Sequence, residues 1–443
     1  MGTELLALAM LVAFVVVLLI GVPVAYAAAA TGIVFGFIGF GDSLFNLLPA
    51  RIYGVATDQS LLALPMFVFM GVMLEKSRLG QDMLEVIGHI AGRVPGGMGV
   101  GIVIFGVIMG ATTGIVGATI VLLGVIALPT LLKYKYDHGL AAGSICASGT
   151  LGQIIPPSLV LLLLAEIMNE SVGTLFAAAL MPGLMLGGMY IAYILIYAWR
   201  NPEKAPPIPA SERAALSRGQ LLVRLVKGVA PALLLVCAVL GSIMGGVAAP
   251  TEAAAIGALG SLLIVTLSGK MNRKVLSDTC RDTLTTSVMI FFVIMTAQAF
   301  SLAFRGLGGE RLIQGLFDLI PGGTTTDILF FMGVLFLAGV LLEWAEISYI
   351  VLPLFLPYFV SQGVDMVWLA ALICINMQTS FLTPPVGWSL FFFRGVAPPE
   401  VQTREIYRGV WPFIYMQLAA VVIVFLFPAI ATWLPSAMGW MNR

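Results

Sequence analysis

Long apolar runs recur along this chain from one end to the other. A helix needs about 20 consecutive apolar residues to cross a bilayer, and many stretches meet that requirement. By position they are 5–22, 23–40, 60–75, 97–132, 139–166, 174–199, 229–245, 250–268, 284–304, 327–360, 366–393 and 410–434. The sequence therefore predicts an all-α polytopic membrane protein whose main solvent is lipid.

The composition supports this class and excludes another. Hydrophobic residues make up 60% of the 443 positions and charged residues only 10%, whereas a soluble domain has about 25% charged residues. The formal net charge is +0, and no basic stripe suited to nucleic acid is present. We therefore expect lipid contacts and no nucleic-acid partner.

The cysteines and histidines give no sign of a metal centre or a disulfide framework. They are far apart, and most of the cysteines lie inside apolar runs, where cysteine acts as a small hydrophobe. We predict no disulfide, no metal cluster and no cofactor, and we interpret the histidines as isolated, solvated loop residues. The six positions are Cys146, Cys237, Cys280, Cys374, His89 and His138.

The chain divides into two related halves. Residues 200–228 form the only long polar, proline-rich stretch, which predicts a linker between a first repeat, 1–199, and a second repeat, 229–443. A shift of 228 positions superimposes uncommon residues of the two halves without a gap. The pairs are Pro129 with Pro357, Asp137 with Asp365, Cys146 with Cys374, Pro156 with Pro384 and Pro157 with Pro385.

Equivalent loops of the two halves carry opposite charge. The linker 200–228 has six basic and two acidic residues, and loop 269–282 has four basic and two acidic ones. The matching parts of the first half, the N-terminus and loop 41–59, have one basic and three acidic residues. Because basic loops stay in the cytoplasm, the halves are predicted to be inverted, with the linker cytoplasmic and both termini periplasmic. Inverted repeats, each with about five crossings, a re-entrant hairpin and a broken helix, are typical of secondary transporters.

Two apolar runs are too long for one crossing. Runs 97–132 and 327–360 must each fold back, either as a re-entrant hairpin or as two full crossings. The runs that follow, 139–166 and 366–393, contain proline pairs, which remove hydrogen-bond donors and break a helix. Broken helices occur in membranes only where they face protein or a water-filled cavity, so these four segments indicate the functional region.

Polar and glycine-rich motifs mark the middle of each hairpin and each broken helix. Hydroxyl and amide oxygens there can replace the hydration shell of Na⁺, and half-helix N-termini attract a carboxylate. The alternative is that these small residues are helix-packing surfaces. The motifs span 110–117 and 343–348 in the hairpins, and 148–158 and 376–387 in the broken helices.

Carboxylates inside the runs allow two interpretations. Glu343 and Glu346 lie in an apolar stretch, where an ionisable residue is by default a functional candidate, but either could instead cap a half-helix. Glu252 follows Pro250 at a predicted helix start, so capping is favoured there. No arginine lies at the centre of any run, so the sequence shows no guanidinium clamp for an acidic solute.

At these motifs the chain resembles the large membrane subunit, the M or DctM-type subunit, of tripartite ATP-independent periplasmic (TRAP) transporters. The matching segments are 147–158, 249–255, 382–387 and 110–114. The resemblance implies a bacterial inner-membrane protein that works with a small membrane (Q) subunit and a periplasmic substrate-binding (P) protein. It also implies Na⁺-coupled symport of a small organic acid by an elevator motion, with no enzymatic activity.

The resemblance further implies roles for residues in the four motifs. Its candidate Na⁺ contacts are Thr112, Thr113, Gly114, Ser148, Gly149, Thr150, Gly152, Asn376, Thr379, Ser380 and Thr383. The proline pairs and carboxylates of the motifs themselves give candidate substrate or gating residues, namely Pro156, Pro157, Ser158, Glu343, Glu346, Pro384 and Pro385.

Three alternatives remain at this point. A single-component Na⁺/dicarboxylate symporter would need no partner proteins. A membrane-embedded enzyme would need a catalytic constellation in the membrane, and no histidine lies in any apolar run. A passive channel fits inverted, broken-helix repeats less well than alternating access does.

Overall fold

A computed structural model describes residues 3–77, 79–209 and 218–441 of the chain, and every regular element in these ranges is a helix. These ranges contain 21 main helices and a few short helical turns. In chain order these are α1 (Thr3–Leu19), α2 (Val24–Phe40), α3 (Ser43–Ala56), α4 (Ala63–Lys76), α5 (Leu79–Ala91), α6 (Gly97–Thr113), α7 (Val116–Lys133), α8 (His138–Thr150), α9 (Leu159–Met168), α10 (Val172–Arg200), α11 (Arg218–Gly228), α12 (Ala230–Met244), α13 (Pro250–Leu267), α14 (Arg273–Gly306), α15 (Gly309–Asp318), α16 (Thr324–Leu341), α17 (Trp344–Ser361), α18 (Met366–Leu382), α19 (Trp388–Val396), α20 (Thr403–Leu426) and α21 (Ala429–Ala437).

Many of these helices have membrane length and character. In the described part of the chain, seven are long and apolar enough to cross a bilayer, or eight if the bent pair α3–α4 counts as one span. Shorter apolar helices of 10–17 residues accompany them. The predicted all-α, polytopic membrane fold is confirmed.

Both long apolar runs fold back as predicted. In the first, α6 and α7 meet at Gly114, which has a positive φ of 60° that favours glycine. In the second, α16 and α17 meet at Leu342 and Glu343, which have extended backbones. We call these pairs hairpin 1 and hairpin 2.

One pair of equivalent segments differs between the halves. At the 228-residue shift, the segment of α3 and α4 corresponds in sequence position to α14, Arg273–Gly306. The first-half segment is broken into α3 and α4 with a bend of 52°, whereas α14 is one continuous helix. The loops predicted at 41–59 and 269–282 are therefore largely helical. Several of their charged residues lie in helices: Arg51 in α3, and Arg273, Lys274 and Arg281 in α14.

The helices pack in two groups. The first group contains α1–α4 and α12–α14, with α2 on α14 and α4 on α13 as its main contacts. The second group contains both hairpins, α8–α10 and α18–α21, centred on the packing of α8 against α20. The groups touch through α4 with α6 and through α14 with α17. Close approach at small residues holds each group together: a β-carbon on Gly32 of α2 would lie 2.6 Å from the carbonyl carbon of Ala299 in α14.

The polar stretch 200–228 is partly helical. Residues 210–217 lie outside the described residues, but α11 occupies 218–228 and packs on α5. The guanidinium of Arg224 donates to the Glu85 carboxylate over 2.8 Å. The boundaries of the two repeats remain a sequence-based prediction.

The interpretation of the histidines as solvated loop residues is wrong. His138 is the first residue of α8, and its Nδ1 lies 3.1 Å from the Glu405 carboxylate at the start of α20. His89 lies in α5, with its Nδ1 3.0 Å from the Glu85 carbonyl oxygen. Glu405 is 267 positions from His138 along the chain, so sequence spacing did not indicate the pair.

Candidate functional site

The first broken helix is interrupted at its proline pair. Helix α8 ends at Thr150, a single 3₁₀ turn covers 151–153, and α9 begins at Leu159 beyond the cis Pro156–Pro157 bond. Proline has no backbone N–H, so the helical ladder cannot continue across this pair. The hydroxyl of Ser158 spans the gap by donating to the Gln153 carbonyl over 2.7 Å.

The second broken helix repeats this arrangement. Helix α18 ends at Leu382, a cis Pro384–Pro385 bond follows, and α19 begins at Trp388. The hydroxyl of Thr383 donates back to the Thr379 carbonyl over 2.7 Å. The Tyr407 hydroxyl of α20 donates to the Pro385 carbonyl over 3.0 Å, so a hydrogen bond joins α20 to this break.

Hairpin 1 packs its tip against the first break. A β-carbon on Gly110 would lie 2.5 Å from the Cα of Gly152, and one on Gly106 would lie 2.7 Å from the Ser148 carbonyl oxygen. At the turn itself, a β-carbon on Gly114 would lie 3.0 Å from the backbone nitrogen of Leu159. Backbone therefore meets backbone where hairpin tip and break face each other.

Hairpin 2 makes the equivalent contact. A β-carbon on Gly339 of α16 would overlap the Ser380 hydroxyl of α18, and Ser380 is the residue that the 228-residue shift pairs with Gly152. The amide of Asn376 also donates to the Met332 carbonyl of α16 over 2.7 Å. The structure thus brings the predicted residues together as two clusters, one in each half.

Most predicted hydroxyls in these clusters donate to their own helix. Thr112 and Thr113 donate to the Met109 carbonyl over 2.8 and 3.0 Å. Thr150 and Ser380 donate to carbonyls one turn back in the same way. The Thr112 and Ser380 oxygens then keep their lone pairs, which suits a hard cation that prefers oxygen ligands, whereas the Thr150 oxygen also accepts from the Gln417 amide over 3.4 Å.

Within the 148–158 motif, two buried polar side chains have side-chain atoms without a hydrogen-bond partner in the described part of the chain. They are Ser148, at its Oγ, and Gln153, at both amide atoms. A buried polar group without a partner is costly, so these oxygens are available to an ion or water. Sequence reasoning missed Gln153, although it is a polar residue inside the quoted 148–158 motif.

Glu346 caps a helix, as one of the two interpretations predicted. Its carboxylate accepts a 2.8 Å hydrogen bond from the backbone N–H of Glu343, where α17 begins. Glu252 does the same for the backbone N–H of Ala249 at the start of α13, also at 2.8 Å. Glu343 itself is half-buried at the tip of hairpin 2.

A cavity of about 910 Å³ lies between the two helix groups. Its walls include parts of α3, α9, α14 and α17. Sequence reasoning missed its charged residues because they come from distant segments and none lies at the centre of an apolar run. The charged and phenolic side chains in its wall are Arg51, Asp58, Glu166, Arg305 and Tyr349.

Comparison with known proteins assigns the family. Residues 11–430 match the profile described as "Tripartite ATP-independent periplasmic transporter, DctM component". The chain is 28% identical to the C4-dicarboxylate TRAP transporter large permease protein DctM of Vibrio cholerae, over 95% of each chain. It is 23% identical to the sialic acid TRAP transporter permease protein SiaT of Haemophilus influenzae, over 99% of this chain and 69% of that one.

A solved structure shares the fold. The crystal structure of the Alcanivorax borkumensis YdaH transporter superimposes with a TM-score of 0.65 over 99% of each chain, at 14% sequence identity. The comparisons confirm the resemblance seen in the sequence and the prediction that the chain is not an enzyme, because the named relatives are transporter permeases. This chain is a multi-pass membrane protein of the DctM family, the large permease component of bacterial TRAP transporters.

Proposed function

We propose that this chain carries a small organic acid across the inner membrane, driven by Na⁺ and supplied by a periplasmic binding protein. The observation that carries this proposal is the repeated contact of a hairpin tip with a broken helix. Gly110 meets Gly152 in one half, and Gly339 meets Ser380 in the other. Two irregular backbone segments that face each other inside protein are what an internal ion and solute site requires.

Na⁺ would be held by oxygens of these clusters. In the first half the available oxygens belong to Thr112, Ser148 and Gln153, and in the second half to Asn376 and Thr383. The solute carboxylate would lie near the half-helix N-termini that start after each break, because N–H groups there are free and the helix dipole is favourable.

The two helix groups support an elevator mechanism. Both hairpins and both broken helices belong to the second group, so ion and solute would travel with that group. The first group contains α2, α4, α13 and α14, and it contributes none of the predicted ion-site residues. Movement of the second group along the first would expose the site to one side of the membrane and then to the other.

The proposed partners follow from the family. A small membrane subunit would associate with this chain in the bilayer, and the binding protein would dock at the periplasmic face, where we also place both chain termini. The linker 200–228 would then face the cytoplasm, as its basic charge favours.

Transport by purified components tests the proposal. Proteoliposomes that contain this chain and its small membrane subunit would be given a Na⁺ gradient, a labelled C4-dicarboxylate and the cognate binding protein. We expect uptake that needs both the inward Na⁺ gradient and the binding protein. Equal uptake without the binding protein would support a single-component symporter instead, and uptake unchanged by the Na⁺ gradient would contradict Na⁺ coupling.

A further inference from the structure

Three polar side chains meet at the end of α8, inside the second helix group. They are Thr150, the last residue of α8, Tyr190 of α10 and Gln417 of α20, and each is 0% exposed. We propose that Tyr190 and Gln417 are positioning residues for the first-half Na⁺ site, because they hold Thr150 and with it the start of the break between α8 and α9. The inference rests on the proposed function, since it names the residues that keep that ion site in place.

Thr150 is the centre of this cluster. Its hydroxyl donates to the Ala147 carbonyl over 2.8 Å and accepts from the Gln417 amide over 3.4 Å. A hydroxyl has one proton and two lone pairs, so the proton and one lone pair of Thr150 are engaged within the protein. Thr150 therefore joins α8 to α20. Ser148 differs from it, because the Ser148 Oγ has no hydrogen-bond partner in the described part of the chain.

Tyr190 completes the cluster from α10. Its hydroxyl lies next to Thr150 and Gln417, and its ring packs edge-on against Phe413, one turn before Gln417 in α20, with the ring centroids 5.2 Å apart. Among the described residues, neither the Tyr190 hydroxyl nor the Oε1 of Gln417 has a hydrogen-bond partner. A donor and an acceptor thus lie on neighbouring buried side chains. Removal of one member leaves the others buried with fewer partners, so we expect the three to act as a unit.

The same face of α10 runs along the break. A β-carbon on Gly187 would lie 3.9 Å from the Leu151 side chain, and one on Gly183 would lie 2.9 Å from the Ile155 side chain. Gly183, Gly187 and Tyr190 are four and three positions apart, so they lie on one side of the helix. Helix α10 therefore supports the irregular segment closely, and Tyr190 is its polar contact with that segment.

Position matters here because the available ion-site oxygens lie on both sides of Thr150. Ser148 is two residues before it, and Gln153 is three residues after it, in the 3₁₀ turn that starts where α8 ends. A shift of the end of α8 would move both side chains relative to Thr112 in hairpin 1. Oxygen ligands hold a cation only at the correct distance, so the affinity for Na⁺ should report such a shift.

Stabilisation by Na⁺ tests the inference. The melting temperature of the complex with the small membrane subunit would be measured in nanodiscs against Na⁺ concentration, without solute or binding protein and with choline at constant ionic strength. The rise gives an apparent dissociation constant for Na⁺. Thr150→Val, Tyr190→Phe and Gln417→Met each remove polar atoms with little change in volume. We expect each to raise this constant by roughly three- to tenfold, the effect of one lost hydrogen bond.

Two further variants separate positioning from direct ligation. Thr150→Val combined with Gln417→Met should weaken Na⁺ binding no more than either change alone, because members of one network are not additive. Thr150→Ser returns the hydroxyl and should recover most of the affinity. Ser261→Ala is the control, since this buried hydroxyl of α13 donates to the Ala258 carbonyl of its own helix in the first helix group, and it should leave the dissociation constant unchanged.

The outcomes that contradict the inference are distinct. An unchanged dissociation constant in Gln417→Met, even with a lower melting temperature in choline, would show that Gln417 is only structural. Fully additive losses in the double variant would show that Thr150 and Gln417 act independently, which also overturns the inference. No stabilisation of the unaltered complex by Na⁺ would contradict Na⁺ binding itself, and so the proposed function as well, whereas Na⁺ binding that all the variants keep would contradict only this inference.

Discussion

Gly110 of hairpin 1 and Gly152 of the first broken helix are in backbone contact: a β-carbon built on Gly110 would lie 2.5 Å from the Cα of Gly152. No flexible side chain lies between the two segments to yield to a larger residue. The depth at which the hairpin tip packs against the break therefore depends on glycine at both positions.

We predict that Gly110→Ala lowers Na⁺-driven uptake at least about tenfold, because overpacking of this kind costs roughly 1–3 kcal/mol and displaces the tip. Uptake would be measured at equal amounts of folded protein in proteoliposomes. Gly333→Ala in α16 is the matched control, since nothing lies within 4 Å of a β-carbon there. Normal uptake by Gly110→Ala would show that the contact is unnecessary for transport.

Glu346 should act through its hydrogen bond rather than its charge. Glu346→Gln keeps an oxygen that can accept from the Glu343 N–H, so we expect near-normal uptake and thermal stability. Glu346→Ala loses the cap, which we expect to lower the free energy of unfolding by about 1 kcal/mol. A large loss of Na⁺ dependence in Glu346→Gln would instead indicate a cation or proton ligand.

Asn376→Ala and Thr383→Ala should weaken Na⁺ coupling. Loss of one ligand oxygen corresponds to about 1 kcal/mol, so we expect the Na⁺ concentration for half-maximal uptake to rise by roughly three- to tenfold. Thr432→Ala on α21 is the control, because this exposed hydroxyl donates only to the Pro428 carbonyl of its own helix. Unchanged Na⁺ dependence in both test variants would remove these residues from the ion site.

The hairpins and breaks could be predicted because local chemistry determines them. A proline pair ends a helix wherever it occurs, so the breaks at Pro156–Pro157 and Pro384–Pro385 are at the predicted places. The prediction of a loop at 269–282 was wrong because it relied on charge alone. Charged residues such as Arg273 and Lys274 indicated a loop, but a helix can extend beyond the apolar core of the bilayer, and α14 does so.

Features formed by distant segments could not be predicted. Arg51 and Arg305 flank apolar runs and show no relation in the sequence, yet the packing of α3 on α14 brings them to one cavity. His138 meets Glu405 only because α8 packs on α20. The bend between α3 and α4 also has no strong signal, because the sequence around Asp58 resembles an ordinary polar loop.

If solute crosses by movement of one helix group against the other, a covalent tie between the groups must stop uptake. Leu302 of α14 and Leu356 of α17 line the cavity from opposite groups, so Leu302→Cys with Leu356→Cys can be joined by a bifunctional maleimide after Cys237 and Cys280 are replaced by serine. The control pair, Tyr26→Cys with Phe292→Cys, joins α2 to α14 within the first group, where the native rings lie 5.3 Å apart. We predict that cross-linking abolishes Na⁺-driven uptake in the first pair and leaves it intact in the second. Full uptake by the cross-linked first pair would contradict the elevator mechanism.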